Sequence, residues 1–227
     1  IIAQEIVAIK KKQVQIPVKN IHAWSAESPT LYRCVVEMDE DSYETTFGFR
    51  TIRFDENDLY INDQKVFLRG LNRHQCYPYI GYAAVDSLQE EDVRILKEEL
   101  HVNAVRTSHY PQSQSFIDAC DRYGLYVFTE IPGWQHIGDE TWKQQAIQNT
   151  KDMVLQYRNH PSIILWGVRI NESLDDDELY TKTNEIARKL DPSRPTAGVR
   201  YLTKSHLLED VYTFNDFSHH GDNKGAL

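Results

Sequence analysis

The stretch SIILWGVRINE, residues 162–172, decides the fold. Ile163, Ile164, Leu165 and Trp166 are apolar in succession, without the alternation of a half-solvated strand. A run that is apolar on both faces suits a parallel sheet covered by helices. The run ends in Asn171-Glu172. Strands rich in branched and aromatic residues avoid carboxylates. A Glu at such an end is therefore solvated, ion-paired or chemically employed.

Outward from this stretch, strand and helix patterns alternate. KVFLRGLN (65–72), AVRTSHY (104–110), LYVFTEI (125–131), PTAGVRY (195–201) and DVYTF (210–214) read as strands. Between them, 87–100, 115–124, 140–160 and 177–190 show helical spacing. Ser87 and Glu90 fit a capping box at the start of the first helix, and Gly124 supplies a stop for the second. The alternation predicts parallel βα units, closed as an open doubly wound sheet or a (β/α)8 barrel. No glycine-rich phosphate loop follows a strand, which removes support from a nucleotide-binding sheet. Polar residues gather at strand ends: Asn72-Arg73-His74, Ser108-His109, Glu130 and Asn171-Glu172. A barrel brings such ends to one face, where barrel enzymes place their chemistry.

The first ~50 residues differ: KQVQIPV, LYRCVVEM and YETTFGFRTIRF are short β runs between turn-rich breaks, as in an antiparallel sandwich. FDENDLYINDQK predicts a hairpin with Asn62-Asp63 at its tip. The expected division is a sandwich end over 1–54 and an incomplete barrel over 55–227.

Composition narrows the function. With 25 basic and 34 acidic residues the net charge is −9, which argues against nucleic acid as a partner. Lys10-Lys11-Lys12 reads as a solvated strand edge. No apolar stretch approaches the ~20 residues of a membrane span. The first residues run apolar to basic, the reverse of a signal peptide. Cys34, Cys76 and Cys120 are odd in number and widely spaced, as expected of reduced thiols in a cytoplasmic protein.

Glu172 is the sharpest candidate. An apolar wall of Trp166 and Ile170 suits a general acid, with Asn171 placed to orient a substrate hydroxyl. The competing reading has Glu172 capping the next helix beside Asp175-Asp176-Asp177. Glu130, at the end of the neighbouring strand, is a second carboxylate, a pairing that suggests glycoside hydrolysis. It fits equally a buried ion pair with Arg69 or Arg106. His74 and His109 at matching strand ends suggest a shared polar site. The loop aromatics Tyr77, Tyr79, Tyr82, Tyr110 and Trp134 suit sugar rings or simple packing.

NAVRTSHYP (103–111) and RNHPSIILWGVRINE (158–172) resemble the two defining stretches of glycoside hydrolase family 2, the β-galactosidase and β-glucuronidase family. RGLNRHQCYP (69–78) is more similar to the β-galactosidases. WSAESPTLY (24–32) and FGFRTI (47–52) resemble the end of the immunoglobulin-like sandwich that precedes the barrel. The resemblance implies a partial TIM barrel of about six of eight strands and a retaining hydrolase releasing terminal β-galactose. It assigns the acid/base to Glu172, the sugar 2-hydroxyl to Asn171, and sugar binding to His109 and His74. Arg106 falls near the nucleophile and Trp134 in the substrate site. The implied nucleophile is a Glu on a seventh strand, past Leu227, so the chain alone is expected to be inactive.

A magnesium site of the family calls for a Glu four residues after Glu130; Trp134 stands there, so no cofactor is expected. GVRINE has one residue more than the usual Trp-to-Asn spacing, which predicts a bulge before Asn171. The expected partner is a β-galactoside, with no nucleic acid and no membrane, in a homo-oligomer. The alternatives are a β-glucuronidase or other family β-glycosidase, and a carbohydrate-binding fragment without catalysis.

Overall fold

The computed structural model describes residues 2–7, 13–55, 58–202 and 204–217. The Lys10–Lys12 cluster lies outside them. From Gln13 on, the β run expected in KQVQIPV is irregular chain. β1 (Tyr32–Met38) and β2 (Asp41–Phe47) form an antiparallel hairpin, exposed along most of its length. Tyr32, Phe47 and Phe49 stack at its base, with centroids 5.2–6.1 Å apart.

β3 (Ile52–Asp55), β4 (Asp58–Ile61) and β5 (Gln64–Val66) form a second antiparallel sheet. The expected tip is present: Asn62 and Asp63 both have positive φ (50° and 63°), the geometry a two-residue hairpin turn needs. β3 straddles the expected division at residue 54. Leu59 and Ile61 of this sheet, with Trp24, pack against Tyr126, Ile164 and Ala197. The small sheet thus closes the end of the barrel where its strands begin.

Six parallel strands follow in consecutive order: β6 (Gly70–Arg73), β7 (Ala104–Thr107), β8 (Tyr126–Glu130), β9 (Ile163–Gly167), β10 (Thr196–Arg200) and β11 (Val211–Phe214). Helices α1 (Asp86–Arg94), α2 (Gln114–Tyr123), α3 (Glu140–Tyr157) and α4 (Asp177–Leu190) cover the outside. The result is a partial TIM barrel with β6 and β11 as edges. All five residues of β9 are buried, which explains the run without alternation. The core between sheet and helices includes Val93, Phe116, Ile117, Val127, Val154, Ile163 and Trp166. Full burial of such side chains contributes about 1.5–3 kcal/mol each.

Several local expectations are corrected. KVFLRGLN is two strands: the chain leaves the small sheet at Val66 and enters the barrel at Gly70. Asn103 spans that break, accepting from Arg69 N–H (2.7 Å) and donating to the Phe67 carbonyl (2.9 Å). Ser87 does not cap α1. The helix begins at Asp86 with Val85 at the cap position and no side-chain cap, so Ser87 already lies in the first turn. The last turn of that helical segment, Ile95–Glu99, widens to π geometry. Ser113, Asp139 and Asp176 cap the other three helices, and Gly124 ends α2 at φ 76°. The ladder of β9 ends at Gly167. The ladder with β8 shifts register at Ile164, between the Val127–Ile163 and Phe128–Leu165 pairs, and the residues from Val168 to Ile170 form an irregular stretch before Asn171 pairs with Trp134.

Among its described residues the link from β10 to β11 (201–210) has no helix. In its place Arg169 and Arg200, both fully buried, converge on the buried Glu209 carboxylate. The three cysteines are free; Cys120 is buried, and burial pushes its thiol well up. Among the described residues no helix is long and apolar enough to cross a membrane.

Candidate active site

The strand ends β6, β7, β8 and β9 open onto one cavity of about 740 Å³. Glu172, Asn171, His109, His74, Arg106 and Trp134 line it, whereas the candidates Glu130, Tyr77 and Tyr79 do not. Asn72, Tyr82, Ser108, Tyr110, Gly133, Asn215 and Phe217 complete the wall.

Glu172 sits at φ 58° in a short turn after the β9 segment. Its N–H donates to the Val199 carbonyl (3.0 Å), and Ser173 N–H donates to the Ile170 carbonyl (3.2 Å). That turn directs the carboxylate into the cavity rather than toward α4, whose cap is Asp176. Three neutral donors hold the carboxylate. Trp134 Nε1 (3.2 Å) and Gln135 Nε2 (3.0 Å) donate to Oε2, and Asn215 Nδ2 (2.6 Å) donates to Oε1. Among the described residues no cation pairs with it. It is also the one carboxylate among the described residues of the lining.

Glu130 is placed quite differently. It is 2% exposed, and Arg106 clamps it from Nε (2.5 Å) and Nη2 (3.1 Å). Gly167 makes this possible: a Cβ there would lie 2.6 Å from Glu130 Cγ. Of the two readings of Glu130, the ion pair with Arg106 is the one present. Arg106 Nη2 also donates to Asn171 Oδ1 (2.6 Å), and His109 Nδ1 lies 3.2 Å from both Arg106 Nη2 and Glu130 Oε2. One guanidinium thereby orients the amide, the imidazole and the second carboxylate together.

His74 and His109 meet edge to face, with centroids 5.4 Å apart. Partial burial, then the charges of His109 and Arg106, hold His74 below its ordinary value. Tyr110 stacks near His74 (6.0 Å) and edge-on against Tyr82 (5.7 Å). Burial and its bond to Tyr82 push the Tyr110 phenol up to about 12, so it stays a neutral donor. The loop after β8 folds back through Gly133, at φ 150°, where a Cβ would strike Ile170 at 2.5 Å.

Gln135, Asn215 and Phe217 were not singled out from the sequence. Asn215 immediately follows β11, so the strand-end argument applied to DVYTF would have found it. Gln135 carried no such signal: its reach to Glu172 follows from φ 62° and the hydrogen bond of its N–H to the Asn171 carbonyl (2.7 Å).

The position four residues after Glu130 holds Trp134, whose indole donates to Glu172 rather than offering a ligand atom. Among the described residues, the cluster spaced for a cation is Asp118, Asp121 and His160, near the other end of the barrel. There His160 Nδ1 already bonds Asp121 (2.6 Å) and Nε2 meets Gln114 (2.8 Å).

Residues 52–222 match the family model described as glycosyl hydrolases family 2, TIM barrel domain, and residues 3–50 match that of glycosyl hydrolases family 2. A β-galactosidase of Thermoanaerobacterium thermosulfurigenes is 56% identical over 210 residues, covering 91% of this chain and 29% of that protein. A β-galactosidase of Thermoanaerobacter pseudethanolicus is 52% identical over 233 residues, covering 100% and 31%. The apo structure of β-glucuronidase 3 of Bacteroides uniformis superposes with a TM-score of 0.79 at 32% identity, over 90% of this chain and 28% of that one. The chain thus spans less than a third of the length of these relatives. The barrel match takes in every strand whose end builds the cavity, and by it the chain belongs to glycosyl hydrolases family 2.

Proposed function

We propose that the chain carries the acid/base side of a retaining glycosidase acting on terminal β-galactosides. The observation that carries this reading is Glu172, a carboxylate held by neutral donors and open to a cavity walled by imidazoles, phenols and an indole. In this reading Glu172 protonates the leaving oxygen and then takes a proton from water. Asn171, oriented by Arg106, meets the sugar 2-hydroxyl, and His74 and His109 meet its other hydroxyls. Retention needs a second carboxylate about 5–5.5 Å from the first. Glu130 is unsuited, being clamped by Arg106, so the attacking group comes from outside the described residues.

The choice of galactoside over glucuronide rests on the lining and on relatives. A glucuronate carboxylate calls for a cation. Among the described residues the one Arg or Lys in the lining is Arg106, already bound to Glu130 and Asn171, and His74 is biased to its neutral form. The proteins 56% and 52% identical are both named β-galactosidases.

The test is Glu172→Gln in the protein that holds this chain. General acid catalysis contributes about 10²–10⁴-fold. Hydrolysis of an alkyl β-galactoside should fall by that factor, while a dinitrophenyl galactoside, whose leaving group needs no proton, loses far less in its first step. Equal losses on both substrates would remove Glu172 from the acid role. Higher turnover on nitrophenyl glucuronide than on the galactoside would overturn the sugar assignment.

A further inference from the structure

The opposite end of the barrel holds a second polar cavity, of about 470 Å³, between the β1–β2 hairpin and the start of β9. Arg50, Arg158 and Arg194 border it. Arg50 donates from Nε to the Pro161 carbonyl (2.8 Å) and from Nη2 to the Ile163 carbonyl (2.7 Å). Both acceptors are neutral, and among the described residues Nη1 has no protein acceptor. Arg158 reaches one carbonyl, that of Leu190, at 3.4 Å. Neither guanidinium has a carboxylate partner among the described residues. Arg194 is buried and paired with Asp191, whose other oxygen receives Ser193. Among the described residues Asp191 is the one carboxylate paired directly with any of the three guanidinium groups, while Asp121 acts on Arg50 and Arg194 without a direct bond.

The neighbouring cavity, which shares Ser193 and Arg194, is an internal control. There each further arginine is neutralised: Arg53 by Asp55 (2.7 Å) and Arg188 by Asp210 (2.8 Å). The imbalance at Arg50 is local, in a chain with nine more acidic than basic residues. Asp121 is bonded to His160 and Glu44 to Arg33, and neither pairs directly with Arg50 or Arg158. Burial, then the charge of Arg194, pushes Arg50 down to about 9. A half-buried guanidinium held only by neutral carbonyls keeps N–H groups free for an anion.

We propose that this cavity binds a small oxyanion, a phosphate group held between the free edges of Arg50 and Arg158. A planar guanidinium offers paired N–H groups that match two phosphate oxygens. Arg194 adds a third positive charge behind them, and the hydroxyl of Ser193 lines the entrance. The phosphate is either the free ion or the phosphoryl group of a small sugar phosphate.

The experiment titrates inorganic phosphate, and separately glucose 6-phosphate, into the purified protein at constant ionic strength. Calorimetry reads Tm and Kd. The expected result is a saturable rise in Tm with phosphate that chloride does not give. Arg158→Ala, which removes an exposed side chain with one weak bond, should weaken phosphate at least tenfold while leaving the unliganded Tm in place. Arg50→Gln is the second variant and should abolish the response. A tighter Kd for glucose 6-phosphate assigns the site to phosphorylated sugars; a tighter Kd for inorganic phosphate assigns it to the free ion. A rise in Tm without saturation, an equal effect of chloride, or unchanged titration of both variants overturns the site.

Discussion

The ends of β8 and β9 carry the same chemical group in opposite surroundings. Glu130 is almost fully buried and bound bidentately to a guanidinium. Glu172, one strand away, faces open space and meets only neutral N–H donors. A paired carboxylate in a dry wall is structural scaffolding; its charge is already spent on Arg106. A carboxylate held by neutral donors at the edge of a cavity has, among the described residues, no cation to leave before it meets a ligand. Strand-end position by itself does not distinguish the two. The neighbouring cation does.

Removing that cation is the strongest way to break the contrast. Arg106→Ala leaves the Glu130 carboxylate buried without its partner, and loss of one member of a buried pair costs about 3–5 kcal/mol. Urea unfolding should show a loss of that size, and Asn171 and His109 lose their common anchor in the same step. A loss below ~1 kcal/mol would mean that Glu130 is not held as described.

Trp134→Phe tests the other side. It keeps the aromatic wall and deletes one N–H on Glu172. Hydrogen bonds to charged groups contribute about 1.5–3 kcal/mol, which corresponds to a loss of about tenfold or more in kcat. The effect should appear in kcat rather than KM if Trp134 orients the acid, and in KM if it serves only as a platform for the sugar.

Glu172→Gln should scarcely move stability, within about 0.5 kcal/mol, because no ion pair is broken. Paired with the Arg106→Ala result, it separates a group retained for chemistry from one retained for the fold.

His74 gives the smallest effect, in pH dependence. Its native value lies below the ordinary one near about 6.5. As pH falls, the unfolded chain takes up this proton before the native one does. Stability is therefore complete above that pH and declines below it, toward the native value. Tm followed from pH 7 downward should show an acid-side slope that is shallower in His74→Gln.

Much of this was legible in the sequence because it rests on period and punctuation. The double-sided apolar run at Ile163–Trp166 identifies a parallel core strand, and Gly124 marks the end of α2. Position at strand ends gathers His74, His109, Asn171 and Glu172 without knowledge of any distance, while Arg106 enters only through the family resemblance. What stayed hidden depends on register or on backbone turns. Ser87 has the right spacing for a cap, yet the helix starts one residue earlier. KVFLRGLN is uniformly β-like, and nothing local reveals that two sheets divide it. Gln135 reaches Glu172 only through a left-handed residue, and the clamp on Glu130 needs the space that Gly167 leaves. The Arg50 cavity joins residues more than 100 positions apart in sequence, so no local pattern announces it.

The turn at Glu172 carries one more consequence. A side chain with φ 58° occupies a region that Gly or Asn enters far more cheaply. Glu172→Gly would relax the main chain here and break no ion pair seen among the described residues. The backbone of this turn therefore gives no reason to keep a glutamate, and any pressure to retain one comes from what its carboxylate meets in the cavity.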